Sequence, residues 1–416
     1  MNNDLLLSDR GFLCGYFSIS TPQTLYSYLA NWERLFVPNS KEHELEAYQN
    51  FYYPGILNLQ FRERQTYRLT VNQQVAIALS EDKKVNVQVL DVRVHIYPYG
   101  VLIYSIHVQV DQTNVADTLH VFSLLRNLQT LGKDMCRDFY NVSFCYIQQL
   151  YDLCSNRPKA KTGLSHLVEN GNKLKLFHIA HYNSVLTEQE KDNLLFSAGT
   201  LYYNDINSES ASNPSYIQQE LSEHKVSVFN NWTALALLDT FSIITGGALP
   251  SWLIQNWEDD YFEILYLYQL YYKVYLYRLG LQYRLQERSV EVLQQELDDF
   301  DRCFTYPSVS YNFLPNMLNK AMAKGLNVTE EKEQVAHIIS LAAASRQEER
   351  QKKSNRFLTF LTIMASFSAI WDICSLTDAI FGFSDTFSNA IYGYRLTGSL
   401  LLLMVCVVAL LNHKRK

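Results

Sequence analysis

Apolar residues are spaced differently in successive parts of the chain. Between Val85 and Val110 they alternate with polar ones at period two, the signature of strands with opposite faces. The same spacing predicts strands at Phe12–Ser18, Tyr67–Val71, Val85–Val92, Arg93–Tyr97, Val101–Val110, Leu174–His178 and Trp232–Thr245, with Pro98-Tyr99-Gly100 as a hairpin turn. Helical spacing is expected over Pro22–Leu35, Thr118–Leu131, Arg137–Leu153 and Glu188–Ser197. Residues 1–245 therefore read as an α/β domain. A second region, 246–327, opens with a long tyrosine-crowded helix from Trp257 to about Asp301. Glu263, Gln269, Lys273 and Arg278 fall on several of its faces, which argues for a helix packed on several sides and against a membrane span. Pro307, Pro315 and Gly325 mark a connection with a short helix near Asn316–Lys324.

From Thr329, a simple N-cap, no proline or glycine interrupts the chain up to Arg356. Val335, Ile338, Ile339, Ala342 and Ala343 form an apolar stripe there, so 328–356 reads as a stalk helix. Two apolar runs follow, 357–376 and 395–411, joined by residues 377–394. The first matches the roughly 20 residues that cross a bilayer; the second is slightly short alone and reaches that length when extended back through Ala390-Ile391-Tyr392-Gly393-Tyr394. Arg346, Arg350, Lys352, Lys353 and Arg356 precede the first run, and His413, Lys414, Arg415 and Lys416 lie in the tail 412–416 after the second. The connection holds Asp378 and Asp385 and no lysine or arginine ahead of Arg395, so the charge bias puts both ends on the cytoplasmic side. The expected architecture is an α+β cytoplasmic domain, a long helical stalk and two C-terminal transmembrane helices. The expected location is the inner (cytoplasmic) membrane, multi-pass, with both termini inside.

Asn355, Thr359, Thr362 and Ser366 recur on one face of the first run, and Asp372 lies near its outer end. Polar groups facing lipid are costly, so these five residues are candidate pore-lining positions. Asp372 has an alternative role at the outer interface, paired with Arg395. A stripe on one helix needs copies of itself, which predicts a homo-oligomer around a central path; a dimer or trimer glued by small polar residues is the alternative.

Composition narrows the chemistry. The 416 residues carry a formal charge of −6, which argues against direct nucleic-acid binding. A mean hydropathy of −0.14 shows that the apolar character is concentrated rather than spread. Seven cysteines without a Cys-x-x-Cys pair exclude a disulfide framework and a structural zinc motif. Acidic residues interrupt the first residues, so no signal peptide is expected. The sequons at Asn141, Asn231 and Asn327 read as chance matches. No phosphate loop, dinucleotide glycine pattern or hydrolase motif is present, so no enzymatic activity is expected. Arg126, Lys133 and Arg137, and separately Arg157 with Lys159 and Lys161, are candidate ligand-binding cations; solvated surface clusters are the alternative.

The order of elements resembles the CorA superfamily of two-transmembrane divalent-cation transporters. The resemblance covers about 65 C-terminal residues at motif level, where Asn355-Arg356-Phe357-Leu358-Thr359 keeps the family's asparagine and Leu-Thr spacing. It implies a pentameric, funnel-shaped oligomer with Asn355 and Thr362 in the pore. At the family's external Gly-Met-Asn signature stands Gly382-Phe383-Ser384, flanked by Asp378 and Asp385. Serine lacks the asparagine carboxamide, and the family's mid-span proline is absent. Divergent members of this kind resemble the membrane effectors of type III CRISPR antiviral defence. The resemblance then implies a channel gated by a nucleotide second messenger, such as an S-adenosylmethionine–AMP conjugate, with no tightly bound cofactor and a divalent cation as candidate cargo or ligand. The alternatives are a constitutive divalent-cation transporter, with Glu296, Asp298, Asp299 and Asp301 as metal ligands, and a membrane-anchored enzyme that degrades the messenger.

Overall fold

The computed structural model describes residues 6–19, 22–35, 46, 48–111, 114–154, 164–168, 171–205, 208, 211–248, 250–381 and 398. They divide into two units, Met1–Ile339 and Ser340–Lys416. The first is built on a nine-stranded sheet: β1 (Leu6–Ser18), β2 (Glu33–Leu35), β3 (Gln65–Ala78), β4 (Lys84–Tyr97), β5 (Val101–Asp111), β6 (Lys175–Tyr182), β7 (Lys225–Val226), β8 (Trp232–Ala236) and β9 (Thr240–Gly246). Its spatial order is β2-β3-β4-β5-β1-β6-β9-β8-β7. Neighbours are antiparallel except β6 and β9, which run parallel across the crossover that contains β7 and β8. The Val85–Val110 alternation becomes the hairpin of β4 and β5, and Val92 to Tyr97 are buried on both faces of the sheet.

Helices cover both faces. On one side α1 (Pro22–Leu29), α2 (Val115–Leu125) and α3 (Phe144–Cys154) pack, with Phe17 edge-on to Tyr151 at 5.2 Å and Phe122 against His178 at 4.9 Å. The opposite face of β1 and β6 meets a π-helical segment, Trp257–Tyr266, that continues as α4 (Leu267–Arg284). Phe12 stacks on Phe262 at 3.9 Å, and Tyr97 stacks on Tyr271 at 4.3 Å.

The tyrosines of α4 are buried on several sides, and their hydroxyls reach polar partners. Tyr268 donates to the Phe304 carbonyl (3.0 Å), Tyr272 to Asp301 (2.7 Å) and Tyr275 to the Glu296 carbonyl (3.0 Å), all on α5 (Val290–Phe304). α6 (Phe313–Gly325) ends against β8, where a Cβ on Gly325 would lie 2.7 Å from the Ala236 carbonyl carbon. Gly325→Ala is expected to cost about 1–3 kcal/mol through overpacking. Gly132→Ala, with open space around its Cβ, is the matched control. Urea midpoints of the two variants check this; equal midpoints would refute the close approach.

The single strand expected over Trp232–Thr245 is the antiparallel pair of β8 and β9, and three further sequence expectations need correction. The helix expected over Pro22–Leu35 stops at Leu29, and Glu33–Leu35 instead pairs with β3 as an edge strand. The long helix from Trp257 to Asp301 breaks between Arg284 and Val290, where Gln286 takes a left-handed backbone (φ 53°).

The third correction concerns the membrane. α7 (Val328–Phe381) is one helix of 54 residues, but no described helix is long and apolar enough to cross a membrane. The basic flank with Lys352, Lys353 and Arg356 belongs to the same helix and runs without a break into the apolar residues from Phe357. The two-span membrane architecture and the inner-membrane location that rested on it are therefore set aside. The second run, 395–411, lies outside the described residues apart from the single position Gly398. Within α7, the hydroxyls of Thr359, Thr362 and Ser366 donate to the carbonyls four residues back, at 2.8, 2.9 and 2.8 Å.

Candidate functional site

A buried network of charges joins the sheet to the π-helical segment. Period-two alternation along β4 places Asp91, Arg93 and His95 on one face, and register with β5 brings Ser105 and His107 beside them. Arg93 grips Asp91 with two nitrogens (2.9 and 3.1 Å) and reaches Glu263 with a third (2.8 Å). Arg64 pairs with the same Glu263 carboxylate at 3.1 Å and donates to the Glu263 carbonyl at 2.8 Å. Gln60 donates to the Ile264 carbonyl at 2.9 Å and accepts from Tyr97 at 3.1 Å. Further out, Arg10 pairs with Glu258 at 2.8 Å, and His107 lies 3.5 Å from Asp91 and 3.8 Å from Glu258. Phe12 is sandwiched between His107 and Phe262, and Arg93 sits 5.3 Å over its ring.

Three guanidiniums thus face three carboxylates. Burial alone would raise the Asp91 and Glu263 carboxyls, but their cationic neighbours hold both below the usual range. His95, wholly buried, contacts Thr66 and Ser105 at 3.2 Å each; burial pushes its imidazole down to about 3, so it is neutral.

The same π-helical segment presents Asp259, Asp260 and Tyr261 outward. They line a cavity of about 570 Å³, together with Tyr48, Phe51, Tyr52, Gln255, Asn256, Asn312, Leu314 and Pro315. Short backbone pairing builds its wall: Tyr53 donates to the Val309 carbonyl (3.0 Å), and Tyr311 to the Phe51 carbonyl (3.0 Å). Asn316 secures the turn by accepting from the backbone nitrogens of Val309 and Ser310. Tyr48 donates to Asp260 at 2.8 Å. Partial burial raises the Asp260 carboxyl despite that bond, and burial pushes the Tyr261 phenol up to about 12. The cavity therefore offers ring faces, amides and, at Asp260, a carboxylate with no ion pair among the described residues. A volume of this size is typical of small-molecule sites.

No family model and no curated protein matches this chain. Its function is read from these groups.

The described residues singled out from sequence as site candidates are not among those lining this cavity. Asn355, Thr359, Thr362, Ser366 and Asp372 are exposed along α7 and do not line this cavity. Asp378 is helical, while Gly382, Phe383, Ser384 and Asp385 lie outside the described residues, as does Arg157. Arg126, Lys133 and Arg137 are not drawn to one partner. Arg126 pairs with Asp239 at 2.9 Å beside Lys175, Arg137 pairs with Asp134, and Lys133 is exposed. The acidic face of α5 is engaged: Glu296 by Arg278 and Arg288, Asp299 by Arg302, and Asp301 by Lys332, while Asp298 accepts from Gln294. Among the described residues, no group of three or more His, Cys, Asp or Glu is placed to hold a metal ion.

Sequence reasoning missed the cavity because its lining comes from three distant segments. The available signal was the acidic run Glu258-Asp259-Asp260 opening an otherwise apolar, tyrosine-rich helix.

Proposed function

We propose that this chain is a small-molecule sensor: it binds, and does not convert, a ligand carrying a flat ring and a cationic or hydroxyl-bearing edge. The supporting observation is the half-buried Asp260 carboxyl at the edge of an aromatic-walled cavity, where burial raises it above the usual carboxylate range. A ligand that donates to this carboxylate favours its charged form, while rings stack on Tyr48, Tyr52 or Tyr261. A nucleoside meets both demands through its base and its ribose hydroxyls. Among nucleotide signals, an S-adenosylmethionine–AMP conjugate adds a sulfonium charge suited to Asp259 and Asp260. Membrane crossing is no part of this reading.

The π-helical geometry supplies the response. Asp260 faces the cavity and Glu263, three residues on, is anchored in the sheet. Ligand binding that shifts the outer residues acts on the buried ion pairs through one turn of backbone. Wide turns of this kind often mark functional positions.

Titration calorimetry on the full chain with adenosine, S-adenosylmethionine and the S-adenosylmethionine–AMP conjugate tests the proposal. At least one should bind, and Asp260→Asn should weaken it roughly ten- to a hundred-fold, the worth of a charge-assisted hydrogen bond. Binding indifferent to both Asp260→Asn and Tyr48→Phe, or turnover of the bound ligand, would overturn it.

A further inference from the structure

A second cavity, of about 460 Å³, lies near the opposite end of α4. Its lining includes the end of β1 (Ser18, Ile19), the β4–β5 turn (Tyr99, Gly100), α4 (Arg278, Gln282), the following loop (Glu287, Arg288) and Glu296 of α5. The Glu296 carboxylate is shared by two cations: Arg278 at 3.2 Å through one oxygen and Arg288 through the other. Glu296 and Arg278 are nearly buried, whereas the Arg288 side chain is 45% exposed. The turn above them is conformationally costly, because Tyr99 holds a left-handed backbone (φ 58°) that a non-glycine residue rarely adopts. Gly100 (φ 68°) must remain glycine: a Cβ there would meet the Ile19 carbonyl oxygen at 2.9 Å and Arg278 Nη1 at 3.4 Å. The Gln282 side-chain oxygen is buried and accepts no hydrogen bond among the described residues.

We propose that this cavity is a phosphate site: the phosphate of a small phosphorylated molecule takes the place of Glu296 between Arg278 and Arg288. Two planar guanidiniums converging on one carboxylate match the geometry of a phosphate group. Glu296 acts as the internal occupant. Its displacement costs one ion pair with each arginine and returns two stronger ones, because a phosphate brings more charge and more oxygens. The orphaned Gln282 oxygen accepts from a hydroxyl or amine elsewhere on the ligand. Glu287, at the rim, sets a limit on net charge and favours a ligand with a donor on that side. Displacement of Glu296 loosens α5 from α4 at one of their polar contacts. α5 also holds the start of α7 through Asp301 and Lys332 (2.9 Å), so phosphate occupancy is transmitted to that helix within the first unit.

This proposal is independent of the ring-lined cavity, and its test keeps the two apart. The probes are inorganic phosphate and inorganic pyrophosphate, which carry no base or ribose, titrated into the full chain and followed by calorimetry. Binding is expected for at least one probe. Glu296→Gln, which removes the competing charge, should tighten it about ten-fold or more. Arg288→Gln, a change at an exposed side chain that leaves the core intact, should weaken it about ten-fold or more. Asp260→Asn should leave it unchanged. Failure of both probes to bind, or binding that ignores both Glu296→Gln and Arg288→Gln, would overturn the proposal, as would loss of binding in Asp260→Asn.

Discussion

Glu263→Ala is expected to lower stability by about 3–5 kcal/mol, the cost of leaving buried charges without their partner. Two guanidiniums depend on this carboxylate, Arg93 at 2.8 Å and Arg64 at 3.1 Å, and both side chains are buried. Asp91 still neutralises Arg93 after the change, whereas Arg64 loses its Glu263 carboxylate partner while its contacts to the carbonyls of Gln60 and Glu263 and to the Tyr97 ring remain. Glu263→Gln preserves the shape and loses the charge, so it should fall between alanine and wild type. Chemical denaturation of the three proteins at neutral pH measures the order. A loss below about 1 kcal/mol for Glu263→Ala would mean that the network is relaxed and solvated, against the geometry described.

The same residue shows what was legible beforehand. Glu263, Gln269, Lys273 and Arg278 lie on several faces of one tyrosine-rich stretch, and that pattern correctly implied packing on several sides. Each has a partner: Arg93 for Glu263, Asn319 for Gln269 (2.7 Å), Glu331 for Lys273 (3.0 Å) and Glu296 for Arg278 (3.2 Å). The partners were not legible, because all four come from other elements: Arg93, for example, stands 170 positions away in the chain. Periodicity reports which residues share a face and is silent on what faces them.

Local chemistry failed in specific places. The apolar spacing of Pro22–Leu35 continues beyond Leu29, but Glu33–Leu35 gains ladder hydrogen bonds from the edge of β3, and tertiary pairing outweighs helix propensity. The apolar content after Phe357 read as a bilayer span by length, whereas no described helix is long and apolar enough to cross a membrane, and the basic flank through Arg356 belongs to the same helix. The cavity beside Trp257–Tyr266 requires Tyr52 to pair with Ser310 across the chain, which no local pattern encodes.

The neutral His95 makes stability depend on pH. In the unfolded chain its imidazole titrates near the ordinary 6.5; in the fold it is pushed down to about 3. Burial is the main cause, Arg64 and Arg93 act in the same direction, and Glu263 and Asp91 oppose them. Between those two values the unfolded chain binds the extra proton, so stability rises with pH across the window and is lost as pH falls through it. Going from pH 6.5 to 5 should cost about 2 kcal/mol through this group, at about 1.4 kcal/mol per pH unit. Other groups act nearby. His181, also lowered by burial, adds to the loss in the same window. Asp91 and Glu263, both lowered, lose their contribution only as pH falls below the carboxylate range, whereas Asp9 and Asp260, both raised, relieve strain on acidification. The difference between wild type and His95→Gln isolates His95, because the amide keeps a hydrogen-bonding group between Thr66 and Ser105 and does not titrate. Urea denaturation at pH 7 and pH 5 should show the variant losing about 2 kcal/mol less than wild type over that interval. Equal losses in the two proteins would place the sensitivity on the carboxylates and remove His95 from the account.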